Sequence, residues 1–293
     1  MKTRTRIWLG VGAFVIAGAS PSAAEAPVRD PLAKAESVSD RALTRALQSP
    51  MQLAAAKKHR HGGEGGEGGE GGEEGGAKAA KLPPDLDFAL KIAQIRGHLA
   101  VGDELVKAGR WAAALPHFLH PSEEIYGRIR SRLKDYDAPQ FASALKLLAT
   151  AVKSKKSGDD YAKAWKAVED ALGAADAGVK ARQQGDGFVV ESALELLKSA
   201  TGEYQEAIVK GRIAKPVEYQ DARGFVWQAE KMIESVAPAL EKKDADALKH
   251  VRDAFAELKK AWPNAMAPKA PVKDYAAVLS DVSRIELSAG KLM

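Results

Sequence analysis

The chain has no cysteine. That absence excludes disulfides, thiolate metal sites and cysteine nucleophiles together. Any bound metal must therefore be held by imidazole and carboxylate, which suit iron, zinc, copper or manganese in different geometries. Aromatic residues are scarce, at 6% of 293 residues, so aliphatic side chains must build most of the core. Beyond an apolar stretch near the start, no run approaches the roughly eighteen apolar residues that span a bilayer. An excess of one charge is also missing. The formal net charge is +5, but Lys2, Arg4 and Arg6 belong to the leader described below. Taking these three from the 44 basic residues leaves 41 against 39 acidic ones, interspersed along the chain. No nucleic-acid partner is expected from such a balance.

What is present favours helices. Alanine, leucine, lysine and glutamate dominate, and all are good helix formers. Residues 1–24 read as a secretory signal. Lys2, Arg4 and Arg6 form its basic start, Trp8 to Ala19 its short apolar centre, and Ser22-Ala23-Ala24 its small-residue end. This predicts a periplasmic protein. Residues 25–83 read as a flexible linker, with a weak amphipathic stretch from Ser39 to Lys58. Repeated Gly-Gly-Glu follows up to Gly76, a composition too poor in apolar groups to offset its ordering entropy. His59 and His61 border the repeat and read as part of a solvated spacer.

Beyond Pro83 and Pro84 the apolar residues recur at helical spacing. The first helix is predicted from Asp85 to about Ala108, with Leu86, Leu90, Ala93, Gly97 and Val101 on its inner stripe and Gly109 as its stop. A short helix from Arg110, a kink at His120-Pro121, a helix from Pro121 to Lys134, one from Pro139 and one from Asp159 or Asp160 complete an N-terminal bundle over 84–183. A C-terminal bundle over 184–293 is predicted from helices beginning at Phe188, at Pro216, at Asp244 as a cap, and around Tyr275. The expected fold is all-α: two antiparallel helical bundles behind a signal peptide and a disordered Gly/Glu-rich linker.

One stretch, Arg96 to Tyr126, holds three of the six histidines, His98, His117 and His120, and two adjacent glutamates, Glu123 and Glu124. On one continuous helix His117, His120 and Glu124 would share a face, at i, i+3 and i+7. His98, from the preceding helix, would face them, and Glu104 or Asp103 would add an oxygen. Pro121 leaves open whether Glu123 or Glu124 joins the set. The pattern points to a metal ion. HExxH, the zinc-protease motif, is missing because Phe118 follows His117. Paired E-x-x-H motifs, a nucleophile elbow and a phosphate-binding glycine loop are also missing, so no enzyme is expected.

His117, His120 and Glu123, as overlapping HxxE-like elements in an exported helical protein, resemble the imelysin-type periplasmic iron-binding proteins. A longer stretch carries a second resemblance. Tyr204, Ala207, Ile208, Gly211 and Ile213 form Y-x-x-A-I-x-x-G-x-I, followed by Glu218-Tyr219 and then Asp221. With Trp262-Pro263 and the final Ile285-Glu286-Leu287 helix, this resembles the extracytoplasmic helical domain of bacterial high-affinity iron permeases, over roughly 188–290. The membrane helices of those permeases, with their RExxE motifs, have no counterpart here. The resemblance implies iron in preference to zinc or copper and an inner-membrane metal transporter as partner. It makes Glu203, Glu206, Glu218 and Asp221 candidate carboxylates, with Glu218, Tyr219 and Asp221 as secondary candidate site residues. The function expected is an exported metal-binding protein acting in metal uptake, delivery or homeostasis. The alternative is a metal-free interaction or scaffold protein of the cell envelope.

Overall fold

The computed structural model describes residues 81–293 apart from Ser157 and Gln184. The leader, the Gly-Gly-Glu tract, His59 and His61 lie outside the described residues. The first helix, α1 (Pro84–Lys107), starts where the sequence places it: Pro84 needs no helical N–H donor, and Asp85 and Asp87 face the positive end of the helix. It stops in a Schellman turn. Gly109 adopts φ +71°, its N–H donates to Val106, and the N–H of Arg110 donates to Leu105.

α1 is buried nearly all round, not along one stripe as the spacing suggested. Leu90 and Ala93 enter one hydrophobic core, whereas Phe88, Ile92, Ile95, Leu99 and Leu105 enter another. A helix apolar on every side belongs in the middle of a protein, and α1 joins the two cores. One core is closed by α2 (Trp111–His120), α3 (Tyr126–Ile129), α4 (Ala142–Lys153) and α5 (Asp159–Arg182). The other is closed by α6 (Asp186–Ala207), α7 (Pro216–Ser235), α8 (Ala237–Leu258) and α9 (Tyr275–Ala289). Among the described residues no helix is long and apolar enough to cross a membrane.

Two local predictions need correction. No kink falls at His120-Pro121: both residues keep right-handed helical dihedrals, and α2 runs on through a π-helical turn, Pro121–Ile125, into α3. Pro121 brings no N–H to the helix ladder, and the wide turn accommodates it, with the N–H of Tyr126 donating to the Pro121 carbonyl. The helix predicted from Phe188 to Lys210 ends earlier, at Ala207. A small antiparallel hairpin follows, β1 (Ile208–Val209) paired with β2 (Arg212–Ile213). Lys210 and Gly211 both have positive φ, 50° and 72°, the requirement of a tight two-residue hairpin turn. The Tyr204-to-Ile213 motif now has a physical reading. Tyr204 is buried and donates its hydroxyl to the Lys273 carbonyl at 2.6 Å, Ala207 accepts from Ala214, Gly211 makes the turn, and Ile213 packs on the core. The hairpin folds α7 back antiparallel on α6. At Asp244 the helix α8 breaks (φ −159°, ψ 94°), and the Asp244 carboxylate accepts from the Ala247 N–H at 2.8 Å, the capping role predicted for it.

Candidate metal centre

Glycines set how closely the site's three helices approach. α1 crosses α7 at Gly97 and Gly224, where a Cβ on Gly224 would stand 2.3 Å from the Gly97 carbonyl oxygen. α1 meets α2 at Gly102, where a Cβ would stand 2.7 Å from the Phe118 ring and 3.2 Å from His117 Cβ. With no side chain in the way, the helices come together and carry the residues beside the crossings with them. His98 follows Gly97, and Asp221 lies one turn before Gly224.

Three imidazoles from two helices thereby converge on one carboxylate. His98 Nδ1 lies 2.6 Å and His117 Nδ1 2.7 Å from Asp221 Oδ1, and His120 Nδ1 lies 3.3 Å from Oδ2. His98, His117 and Asp221 are buried, and His120 is half-buried. The His98 and His120 rings meet edge to face, 5.3 Å between centres, and Phe225 closes the other side of His98 at 4.9 Å.

The electrostatics follow from this packing. Burial by itself would push the Asp221 carboxyl up. The charge of His98 and hydrogen bonds from His117, His120 and His98 more than offset it and hold the group well below the usual carboxylate range. His120 is raised, first by its hydrogen bond to Asp221 and then by the charges of Asp221, Glu124 and Glu203, against the opposing effect of burial. On α6, Glu203 is pushed up to about 8, first by burial and then by the neighbouring charges of Asp221, Glu206 and Glu218.

His117 differs from the other two histidines. Its Nδ1 faces Asp221, and its Nε2 lies 2.9 Å from Gln220 Oε1. The Gln220 amide nitrogen donates to the Ala265 carbonyl at 3.1 Å, which orients the amide with its oxygen toward His117. Both ring nitrogens of His117 thus face acceptors. His98, His120 and Asp221 each offer an atom within 4.8 Å of the others, a group able to hold a metal ion. Imidazole nitrogen and carboxylate oxygen bind first-row metals at about 2.0–2.2 Å. The donor set fits iron, manganese or zinc.

The other sequence candidates fall elsewhere. Glu104 does not reach the histidines. It takes a two-pronged ion pair from Arg223, at 2.9 and 3.1 Å, and Arg223 also donates to the Trp262 carbonyl and stacks 3.9 Å from the Trp227 ring centre. Asp103 accepts from the Tyr161 hydroxyl at 2.9 Å. Glu123 and Glu124 are both exposed. Glu124 lies 3.9 Å from His120 Nε2, while Glu123 pairs with none of the three histidines. Glu218 sits 3.7 Å from Lys215 at the rim. Tyr219 is a core residue whose hydroxyl donates to the Asn264 carbonyl. Sequence reasoning placed Gly97 only on the inner stripe of α1 and gave no site role to Gln220, Gly102 or Gly224. Gln220 precedes Asp221, but nothing in the chain's spacing announces its role.

Residues 179–293 match the family model described as the iron permease-associated 4-helix bundle domain. The four long helices in that range are α6 to α9, so it is this bundle that resembles the iron permease-associated domain. The match covers the stretch that carries the resemblance to iron permeases and contains Asp221, Gln220 and Glu203. His98, His117 and His120 lie before it. No curated protein and no solved structure matches the chain.

Proposed function

We propose that the protein is an exported, non-catalytic metal-binding protein that carries iron as its cargo in the periplasm and works with an inner-membrane metal transporter. The observation that carries this reading is the meeting of His98, His117 and His120 on the buried Asp221. The carboxylate comes from the iron permease-related bundle, and the imidazoles come from the helices packed against it. His98, His120 and Asp221 are the ligands in this reading, and His117 orients Asp221. Iron is favoured because residues 179–293 match a domain associated with iron permeases and because mixed nitrogen and oxygen donors without thiolate suit it.

The test is metal binding by the purified protein, measured with ferrous iron under anaerobic conditions, zinc and copper. The double variant His98→Ala, His120→Ala should lose high-affinity iron binding. If it binds all three metals as the wild type does, the proposal is wrong.

A second reading rests on a specific observation. Among the described residues no buried side-chain nitrogen or oxygen lacks a hydrogen-bond partner. The His–Asp cluster is internally satisfied without a metal, as a polar network that ties α1 and α2 to α7 would be. In that case the wild type binds none of the three metals, and the same double variant is only destabilised.

A further inference from the structure

A cleft of about 1070 Å³ opens over α1, between α5 on one side and α6 and α7 on the other, and none of His98, His117, His120 and Asp221 lines it. Its volume is close to the upper end of small-molecule sites, roughly 300–1,000 Å³. Small residues leave the space open: Ala89 and Ala93 on α1, and Ala177 and Ala181 on α5, border it without filling it. The two ends of the cleft differ. α6 and α7 run antiparallel from the β1–β2 hairpin, so Ser192 comes level with Gln228, and Phe188 and Val189 come level with Met232. Gln228 lies one turn beyond the Gly97–Gly224 crossing, and Arg96 sits beside that crossing on α1. Arg96, Ser192 and Gln228 therefore mark a polar end. The other end is apolar, made by the half-buried Ala89, Phe188, Val189, Met232 and Val236. Met232 and Val236 pack on one core and Ala89 and Phe188 on the other, so the edges of both cores reach the cleft.

Gln228 is the unusual member of this lining. Its side chain is buried, with 8% exposure, yet among the described residues its amide makes no hydrogen bond. A buried amide ordinarily finds partners. No enclosed side-chain nitrogen or oxygen among the described residues lacks a partner, so the small part of Gln228 that stays open includes its amide, and the cleft is the space that it borders. The charges nearby are already matched or lie in water. Arg96 donates to Glu169 at 3.0 Å and to Asp176 at 2.7 Å. Lys180, Asp186 and Lys231 are exposed at the rim, where water and salt screen them. Ser192 donates its hydroxyl to the Phe188 carbonyl at 2.8 Å.

We propose that this cleft binds an uncharged apolar molecule with a single hydroxyl or carbonyl head, an aliphatic alcohol being the simplest case. The head lies against Gln228, whose amide offers both a donor and an acceptor, and a hydroxyl answers both. The aliphatic body lies along Phe188, Val189, Met232 and Val236 and covers apolar surface that water now meets. A charged head is disfavoured: Arg96 and Asp176 already neutralise each other, so an ion buried beside Gln228 would have to break that pair or stay unpaired. The site shares no residue with the metal centre, and the proposal does not rest on the metal reading.

The experiment uses the purified metal-free protein and the uncharged dye N-phenyl-1-naphthylamine, whose fluorescence rises in apolar surroundings. 1-Decanol, decanoate and decylamine, which share a chain length and differ in the charge of the head, compete for the dye. The expected result is that the dye binds and that decanol displaces it at a concentration about fivefold or more below either ion. Ala89→Trp fills the apolar end from a half-buried position and should weaken both dye and decanol about tenfold or more, with a melting curve showing that the variant is folded. Gln228→Leu keeps the bulk of the side chain and removes the amide. It should hold the dye as the wild type does and weaken decanol about threefold or more, the loss of a hydrogen bond. If the wild type does not bind the dye, or if folded Ala89→Trp binds it unchanged, the cleft is not a ligand site and the proposal is overturned. If decanoate or decylamine displaces the dye better than decanol, or if Gln228→Leu binds decanol as the wild type does, the uncharged, Gln228-anchored ligand is overturned. Should Ala89→Trp fail to fold, the decanol series and Gln228→Leu decide the matter without it.

Discussion

The crossing of α1 and α7 gives a prediction that can be worked from distances. In Gly224→Ala the new methyl group would meet the Gly97 carbonyl oxygen at 2.3 Å, its carbonyl carbon at 2.9 Å and Val101 Cγ1 at 3.2 Å. Two of the three obstacles are backbone atoms of a helix buried on most of its sides, so no rotamer change relieves them. Restoring ordinary contact requires the helices to part by roughly 1 Å, and overpacking of this kind costs about 1–3 kcal/mol. The same movement would lengthen the 2.6 Å His98–Asp221 bond beyond hydrogen-bonding range, and a bond to a charged group contributes about 1.5–3 kcal/mol. Against this stands the better helix propensity of alanine, about 1 kcal/mol. The net expectation is a destabilisation of about 2–4 kcal/mol. At about 2–4 °C per kcal/mol for a domain of this size, the melting temperature should fall by roughly 5–15 °C. Urea unfolding of the metal-free protein reads the free energy, and metal titration of the same sample reads the site. Gly97→Ala should be milder, because its Cβ first meets the Phe225 ring edge at 2.6 Å, and a side chain can move. If Gly224→Ala is as stable as the wild type or gains the alanine increment, the close crossing is wrong, and the placement of Asp221 against His98 with it.

Gly173 lies inside α5 with nothing within 4 Å of an added Cβ, so Gly173→Ala should stabilise by about 0.5–1 kcal/mol in the same urea assay. Glu203 titrates near 8 in the folded protein, above its ordinary value of 4.5. Because the folded state then holds the proton more tightly, metal-free stability should fall as pH rises from about 4.5 to 8. Glu203→Gln should flatten that decline, measurable as melting temperature against pH. Asp221, hydrogen-bonded to three imidazoles, also raises His120, so protons compete with metal at neutrality. Iron affinity should therefore weaken as pH drops from 8 to 6, read by competition with a chelator of known pH dependence.

Much of the helical plan is legible because helix ends depend on neighbours in sequence. Pro84 opens α1, Gly109 closes it, and Asp244 and Asp274 cap through their own side chains. His117 and His120, three apart, share a face because helical periodicity is local. The carboxylate they meet is a different matter. The adjacent Glu124 reaches only one histidine, from the surface, while Asp221, a hundred residues later, receives all three. That meeting depends on where α1 crosses α7, a property of the glycines on both helices that spacing along either one does not reveal. Glu104 went astray for the same reason: its partner, Arg223, lies on the far helix and is held by Trp262 and Trp227. Pro121 shows the opposite limit. Its missing N–H pointed to a break, yet the π turn absorbs it while tertiary contacts keep the helix running.

The site's composition bears on what the family-like bundle does here. Asp221, Gln220 and Glu203 all belong to the matched region, yet none of them makes a site without the helices before it. Asp221 is buried only because α1 and α2 cover it, and its negative charge is tolerable there only because His98, His117 and His120 come with them. A buried carboxylate with no such partners would be driven to its neutral form. The N-terminal helices are therefore an electrostatic complement to the bundle as well as a cover for it. Packing α1 onto α6 and α7 is what turns a carboxylate-bearing helix pair into a mixed nitrogen and oxygen site. It follows that the bundle alone, cut at residue 179, would keep its family resemblance and lose the imidazoles that give Asp221 its character.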